Sequence, residues 1–132
     1  MILIIGGAYQ GKLDYAKTLS AYKGAVLDGA MADKKSFIAA ACVNHLHLFV
    51  KNSLQSGSTA AQINDFVLSN SADKIIICDD ICGGIIPIDK FETLWRETTG
   101  RLLCELTKRA DVVIRMQSAL PQVLKGAVEY PC

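Results

Sequence analysis

Three short runs constrain the fold more than anything else in the sequence. Ile2-Leu3-Ile4-Ile5, Ile75-Ile76-Ile77-Cys78 and Val112-Val113-Ile114-Arg115-Met116 are rich in β-branched side chains and almost free of polar ones. A strand with one wet face alternates apolar with polar residues, whereas an unbroken apolar strand is buried on both faces, as in a parallel sheet. A fourth, weaker strand is expected at residues 25–28, between Gly24 and Gly29. Helical spacing fills the intervals. Residues 12–22 carry Leu13, Ala16 and Leu19 on one stripe, and residues 37–54 carry Val43, Leu46, Phe49 and Val50 on one face. Thr59 and Gln62 stand at capping-box spacing before a helix running to about Leu68. Pro87 and Asp89, the latter with Glu92 at cap spacing, precede a long helix with Phe91, Leu94, Trp95, Thr98, Leu102 and Leu106 on its inner face. Residues 30–36 are polar without a clear pattern, and the tail from Gln117 reads as irregular.

Strands alternating with helices imply right-handed βαβ crossovers. The expected class is therefore α/β: a mostly parallel sheet of about four strands with helices on both faces, in three layers. No repeat or linker divides residues 1–132, so one domain is expected. Ligands of such sheets bind beyond the carboxyl ends of the strands, which places the loops at residues 6–12, 28–36 and 79–87 on one rim.

Composition narrows the function. Fourteen Lys and Arg stand against 13 Asp and Glu, so no broad basic field is available for nucleic acid. No apolar run reaches transmembrane length, and residues 1–5 lack the basic start of a secretion signal; the expected place is the cytoplasm, with no membrane partner. The five cysteines, Cys42, Cys78, Cys82, Cys104 and Cys132, are irregularly spaced, and Cys78 and Cys82 have no second ligand pair. Free, mostly buried thiols in a reducing compartment are expected, and no metal site.

The sharpest chemical signal is Gly6-Gly7-Ala8-Tyr9-Gln10-Gly11-Lys12-Leu13. It fits Gly-x4-Gly-Lys between a strand and a helix, the pattern of a loop that cradles nucleotide phosphates. Glycines let successive N–H groups converge on an anion, the lysine adds a full positive charge, and the following helix turns its positive end to the same point. The competing reading is a tight glycine turn with a solvated lysine. Leu13 stands where a Ser or Thr hydroxyl ordinarily binds magnesium, and leucine ligates no metal.

Other candidates are weaker. Asp79 and Asp80 end a buried strand, where an acid holds metal or orients a nucleophile, or simply accepts turn amides. Asp28 ends the second strand as a ribose contact or a turn former. His45 and His47, two apart on an expected helix, point to different faces and cannot form one metal pair there. Arg96 and Arg101 reach across the rim to a phosphate or form surface ion pairs.

Taken in order, ILIIGGAYQGK (residues 2–12), IIICDDICGGIIP (75–87) and TGRLLCELTKRADVV (99–113) resemble the CobU family, adenosylcobinamide kinase / adenosylcobinamide-phosphate guanylyltransferase of cobalamin biosynthesis. The resemblance implies a P-loop NTPase-like fold, GTP or ATP with magnesium, a corrinoid (adenosylcobinamide) as acceptor, and self-association into a homo-oligomer. It implies kinase and nucleotidyltransferase steps, the second through a histidine–GMP intermediate. By position, Gly6, Gly7, Gly11 and Lys12 match the phosphate loop, with Ala8, Tyr9, Gln10 and Leu13 completing the nucleotide-binding segment, and Asp80 matches the family's glutamate. Lys12 and Asp80 are thus the expected catalytic residues. The chain departs at Leu13, where the family has serine, and at Leu103 and Cys104, where it has Asn-Gln. It is also shorter between the second strand and residue 74, the stretch that carries the guanylylated histidine and a further strand ending in an acid; that role passes to neither His45 nor His47. Three readings follow: a trimmed enzyme of this kind, a non-catalytic nucleotide- or corrinoid-binding relative acting as a regulator or partner subunit, and a P-loop kinase for another small molecule.

Overall fold

A computed structural model describes residues 1–82 and 89–132. Gly83, Gly84 and Pro87 lie outside the described residues, as does the end of the expected loop at residues 79–87. The elements run β1 (Ile2–Gly6), α1 (Lys12–Ala16), β2 (Leu27–Asp28), α2 (Lys34–Ala39), β3 (Cys42–Asn44), α3 (Leu46–Gln55), α4 (Ala60–Ser69), β4 (Ile75–Asp79), α5 (Lys90–Arg109), β5 (Val112–Gln117) and β6 (Leu120–Lys125). They build one six-stranded sheet in the order β2-β3-β4-β1-β5-β6, parallel except for β6, which runs antiparallel to β5. The chain is thus α/β with a mostly parallel sheet, as its apolar runs require.

Both faces of the sheet are covered. Leu3, Val43, Ile76, Cys78 and Val113 pack with Phe37, Leu46, Phe49, Val50, Ile63, Val67, Leu102 and Leu106 from α2 to α5. Their strand neighbours Ile4, Cys42, Ile75, Ile77, Ile114 and Met116 join Ala16 of α1 and Leu19 on the other face. This alternation follows from the two-residue period of a strand, which sends successive side chains to opposite faces. The asymmetry of the helices follows from connectivity. The chain steps outward from β1 to β2 and then returns through β3 and β4, past β1, to β5. Right-handed crossovers put the outward step on one face and the returning steps on the other.

Four expectations about the elements are corrected. The sheet has six strands, not about four. The expected helix at residues 37–54 is two helices with β3 between them. Val43 does share a face with Leu46, Phe49 and Val50, but it does so from a strand paired to both β2 and β4. A three-residue strand is too short to display its own period against helical spacing on either side. The helix expected over residues 12–22 ends at Ala16, and tight turns follow: the Thr18, Leu19 and Tyr22 amides each donate three residues back. The Thr18 hydroxyl also donates to the Tyr15 carbonyl at 2.6 Å, competing with helix continuation. The tail is ordered as β6, reached through Ser118 and Ala119, both at positive φ. That turn favours Asn-Gly, and Ser-Ala carries no such signal.

Local expectations fare better at the caps. Thr59 and Gln62 form the reciprocal capping box. Asp89 caps α5 by accepting the Phe91 amide at 2.8 Å, without a return bond from Glu92. Leu94, expected on the inner face of α5, is exposed, while Thr98, Leu102 and Leu106 are buried. Of the five cysteines, all unpaired, only Cys42 and Cys78 are buried. Among the described residues, no helix is long and apolar enough to cross a membrane.

Phe37 ties α2 to the core: its ring centroid lies 4.9 Å from that of Phe49 and 5.4 Å from that of Phe66. Phe37→Ala is expected to cost about 3–5 kcal/mol in urea unfolding followed by circular dichroism. A loss below about 1 kcal/mol would mean that α2 is not docked as described.

Candidate functional site

The parallel register aligns the carboxyl ends of the central strands, with Gly6 level with Asp79 of β4 and Met116 of β5. The glycine loop leaves β1 at that edge and curls into α1. Gly11 takes φ 85° at the turn into α1, a conformation that suits glycine because a Cβ there is strained. Ala8 and Tyr9 form a turn that directs the Gln10 amide back toward Gly7, and among the described residues no amide from Gly7 to Gly11 makes a close, well-aligned bond to a protein acceptor. The loop is anchored from outside instead: the Ala119 amide donates to the Gln10 carbonyl at 3.1 Å, and the Ser118 amide donates to the Gln10 side chain. The β5–β6 turn thus holds the loop by its back.

Lys12 is the first residue of α1 and only 6% exposed. Its ammonium donates to the Gly7 carbonyl at 2.6 Å and pairs with Asp79 at 2.7 Å. These contacts occupy two of the three N–H donors of an ammonium. With only five residues, α1 has a weak macrodipole, so the loop amides and Lys12 carry most of any anion preference.

A cleft of about 310 Å³ opens beside the loop. Ala8, Tyr9, Gln10, Gly11, Lys12 and Leu13 line one side; Asn44, His45, His47 and Asp79 line the other. The two histidines are where the structure departs most from expectation. They do not share a helix facing away from one another: His45 is the residue before α3, and His47 sits in its first turn, both at the carboxyl end of β3. Their rings meet edge to face at 5.7 Å. A strand therefore does stand between β2 and residue 74, and it ends in Asn44 rather than in an acid.

His47 is buried against Asp79. The Asp79 amide donates to His47 Nδ1 at 3.3 Å, which leaves the ring proton on Nε2, 3.5 Å from the second Asp79 oxygen. Trp95 of α5 donates its indole N–H to the His47 carbonyl at 2.7 Å and stacks on the ring. Burial pushes the His47 pKa below its ordinary value, and the charges of His45 and Lys12 push the same way against the pull of Asp79. His45 makes a different pair, its Nδ1 lying 3.0 Å from Asp28 at the end of β2. That hydrogen bond, then the Ala30 amide, hold the Asp28 carboxyl below the usual carboxylate range.

The expected site residues are thus partly gathered. The loop residues, Lys12 and Leu13 line the cleft, and Asp79, rather than Asp80, reaches Lys12. Asp80 accepts the Cys82 amide and faces a second, smaller cleft with Gly6, Gly7, Gln10 and Arg115. Arg101 lines a groove between α4 and α5, and neither it nor Arg96 borders the loop cleft. The residues around Leu13 do not fit a magnesium ion held by protein side chains: leucine offers no donor, and among the described residues no three of His, Cys, Asp and Glu are grouped to hold one. The pairings of His45 and His47 went unread because both depend on β3, whose only sequence trace is Cys42-Val43.

Compared with protein-family models and with curated proteins, the chain matches none.

Because burial lowers the His47 pKa, the unfolded chain takes up the proton first as the pH falls below 6.5. Stability therefore drops with falling pH in that window. Wild-type protein is expected to lose more stability than His47→Gln between pH 7.5 and 5.5, read as urea midpoints. Equal losses would show that His47 is not held neutral.

Proposed function

We propose that the chain binds a nucleoside triphosphate, GTP or ATP, with its phosphates against residues 6–13, on a P-loop NTPase-like fold. The observation that carries this reading is the juxtaposition of a buried ammonium, Lys12, with loop amides that make no close, well-aligned bond to a protein acceptor. Solvent-facing backbone donors beside an ammonium favour a polyvalent anion over neutral ligands. The apolar strand before the loop and the acid of the adjacent strand, Asp79, support the same reading.

Within that reading, the ordered resemblance to the CobU family supports a shortened relative of adenosylcobinamide kinase / adenosylcobinamide-phosphate guanylyltransferase. Adenosylcobinamide is then the acceptor of a phosphoryl group, and the loop amides and Lys12 balance charge on the group transferred. One observation favours a second reading, a nucleotide- or corrinoid-binding relative without catalysis: Leu13 removes the side-chain ligand for magnesium.

Lys12→Ala is expected to weaken triphosphate binding about tenfold or more by calorimetry, since a charge-assisted contact is worth on the order of 1.5–3 kcal/mol. The double variant Lys12→Met, Asp79→Asn, which leaves no unpaired charge, guards against loss of fold. Unchanged affinity in both would refute the assignment. Leu13→Ser separates the two readings. A gain in magnesium-dependent affinity or hydrolysis identifies the missing ligand as the defect; no gain removes that explanation.

A further inference from the structure

Asp28 and His45 form a pair that nucleotide binding alone does not need. Asp28 ends β2 and His45 follows β3, 17 residues apart in sequence; they meet at 3.0 Å, and His45 lines the cleft that Lys12 also lines. The backbone is built to hold them. His45 has φ 56°, a left-handed conformation that costs energy for a residue with a Cβ, and its amide is satisfied by the Asn44 side chain at 2.9 Å. The Gly29 amide donates to the Asn44 carbonyl at 2.7 Å, and a Cβ on Gly29 would overlap the His45 carbonyl oxygen. The ends of β2 and β3 therefore approach as closely as glycine allows, and this approach sets Asp28 against His45.

We infer that His45, oriented by Asp28, is the general base that takes the proton of the acceptor hydroxyl when the phosphoryl group beside Lys12 is transferred. This rests on the nucleotide-binding reading above and adds a catalytic residue to it. An ionised carboxylate accepts only, so Nδ1 of His45 carries its proton toward Asp28 and Nε2 keeps a lone pair. Asp28 is ionised at neutral pH. In the step, the acceptor oxygen bonds to the γ-phosphorus and its proton passes to His45 Nε2. The bond from that phosphorus to the β–γ bridging oxygen breaks, and its electron pair leaves with the nucleoside diphosphate. The imidazolium formed is stabilised by Asp28, which acts as a positioning residue. The other charged or titratable groups that line the cleft with His45 are His47 on α3, Lys12 and Asp14 on α1, Tyr9 in the loop and Asp79 on β4. Lys12 and Asp79 pair with each other, leaving Asp28 as the carboxylate committed to His45.

The test measures transfer from GTP or ATP, with magnesium, to adenosylcobinamide or to water between pH 5.5 and 8.5. Wild-type kcat should fall on the acid side of this range. His45→Gln should lower kcat about a hundredfold or more, leave the triphosphate Kd within about twofold and abolish the acid limb. Asp28→Asn should displace that limb at unchanged Kd, which loss of a purely structural contact would not do. An intact acid limb in His45→Gln overturns the proposal, as does a phosphorylated His45 trapped during turnover. A protein that binds triphosphate yet transfers it to neither acceptor overturns the base and leaves the binding reading standing. A protein that binds no triphosphate overturns both.

Discussion

A buried ammonium must be met by an opposite charge and by oxygen acceptors, or the fold cannot carry it. Lys12 is met by Asp79 and by the Gly7 carbonyl, and these contacts join the start of α1, the end of β4 and the exit of β1. Truncating one member of such a pair strands the other, at a cost on the order of 3–5 kcal/mol. The loop is therefore held in its curled form by the ammonium of Lys12. The same pairing creates a competition. An anion brought to Lys12 would meet the Asp79 carboxylate, whose second oxygen faces His47.

The sheet places this pair where a ligand can reach it. β1 lies between β4 and β5, and its outgoing connection through α1 covers one face, while β4 connects through α5 on the other. Adjacent strands whose crossovers part to opposite faces leave a crevice at their carboxyl ends. The loop, Asp79 and the two histidines surround that crevice. β6 contributes from the far side, since its turn holds Gln10 and thereby fixes the outer curve of the loop. Trp95 plays the corresponding part opposite, packing His47 toward Asp79.

Legibility followed the length of each signal. Ile75-Ile76-Ile77-Cys78 announced β4 because four unbroken apolar residues have few other uses, and Gly-x4-Gly-Lys marked the loop because its glycines and lysine are a local requirement. Thr59 with Gln62 marked the start of α4 for the same reason. β3 was hidden because Val43 keeps helical spacing with Leu46, Phe49 and Val50, so the period reported the right face and the wrong backbone. β6 was hidden because its residues are exposed on both faces and alternate in no useful way. The choice between Asp79, the last residue of β4, and Asp80, the one after it, was equally closed, since only the register of the folded sheet decides which meets Lys12.

The sequence by itself determined the class of sheet, the place of the loop and the identity of its cation, because each rests on side chains close together along the chain. Only the tertiary structure decided which acid Lys12 pairs with, and that His45 meets Asp28 while His47 meets Asp79. Those contacts span 17 to 67 residues. They exist because β2, β3 and β4 end side by side at one edge of the sheet, and strand order is a property of packing that no local pattern encodes.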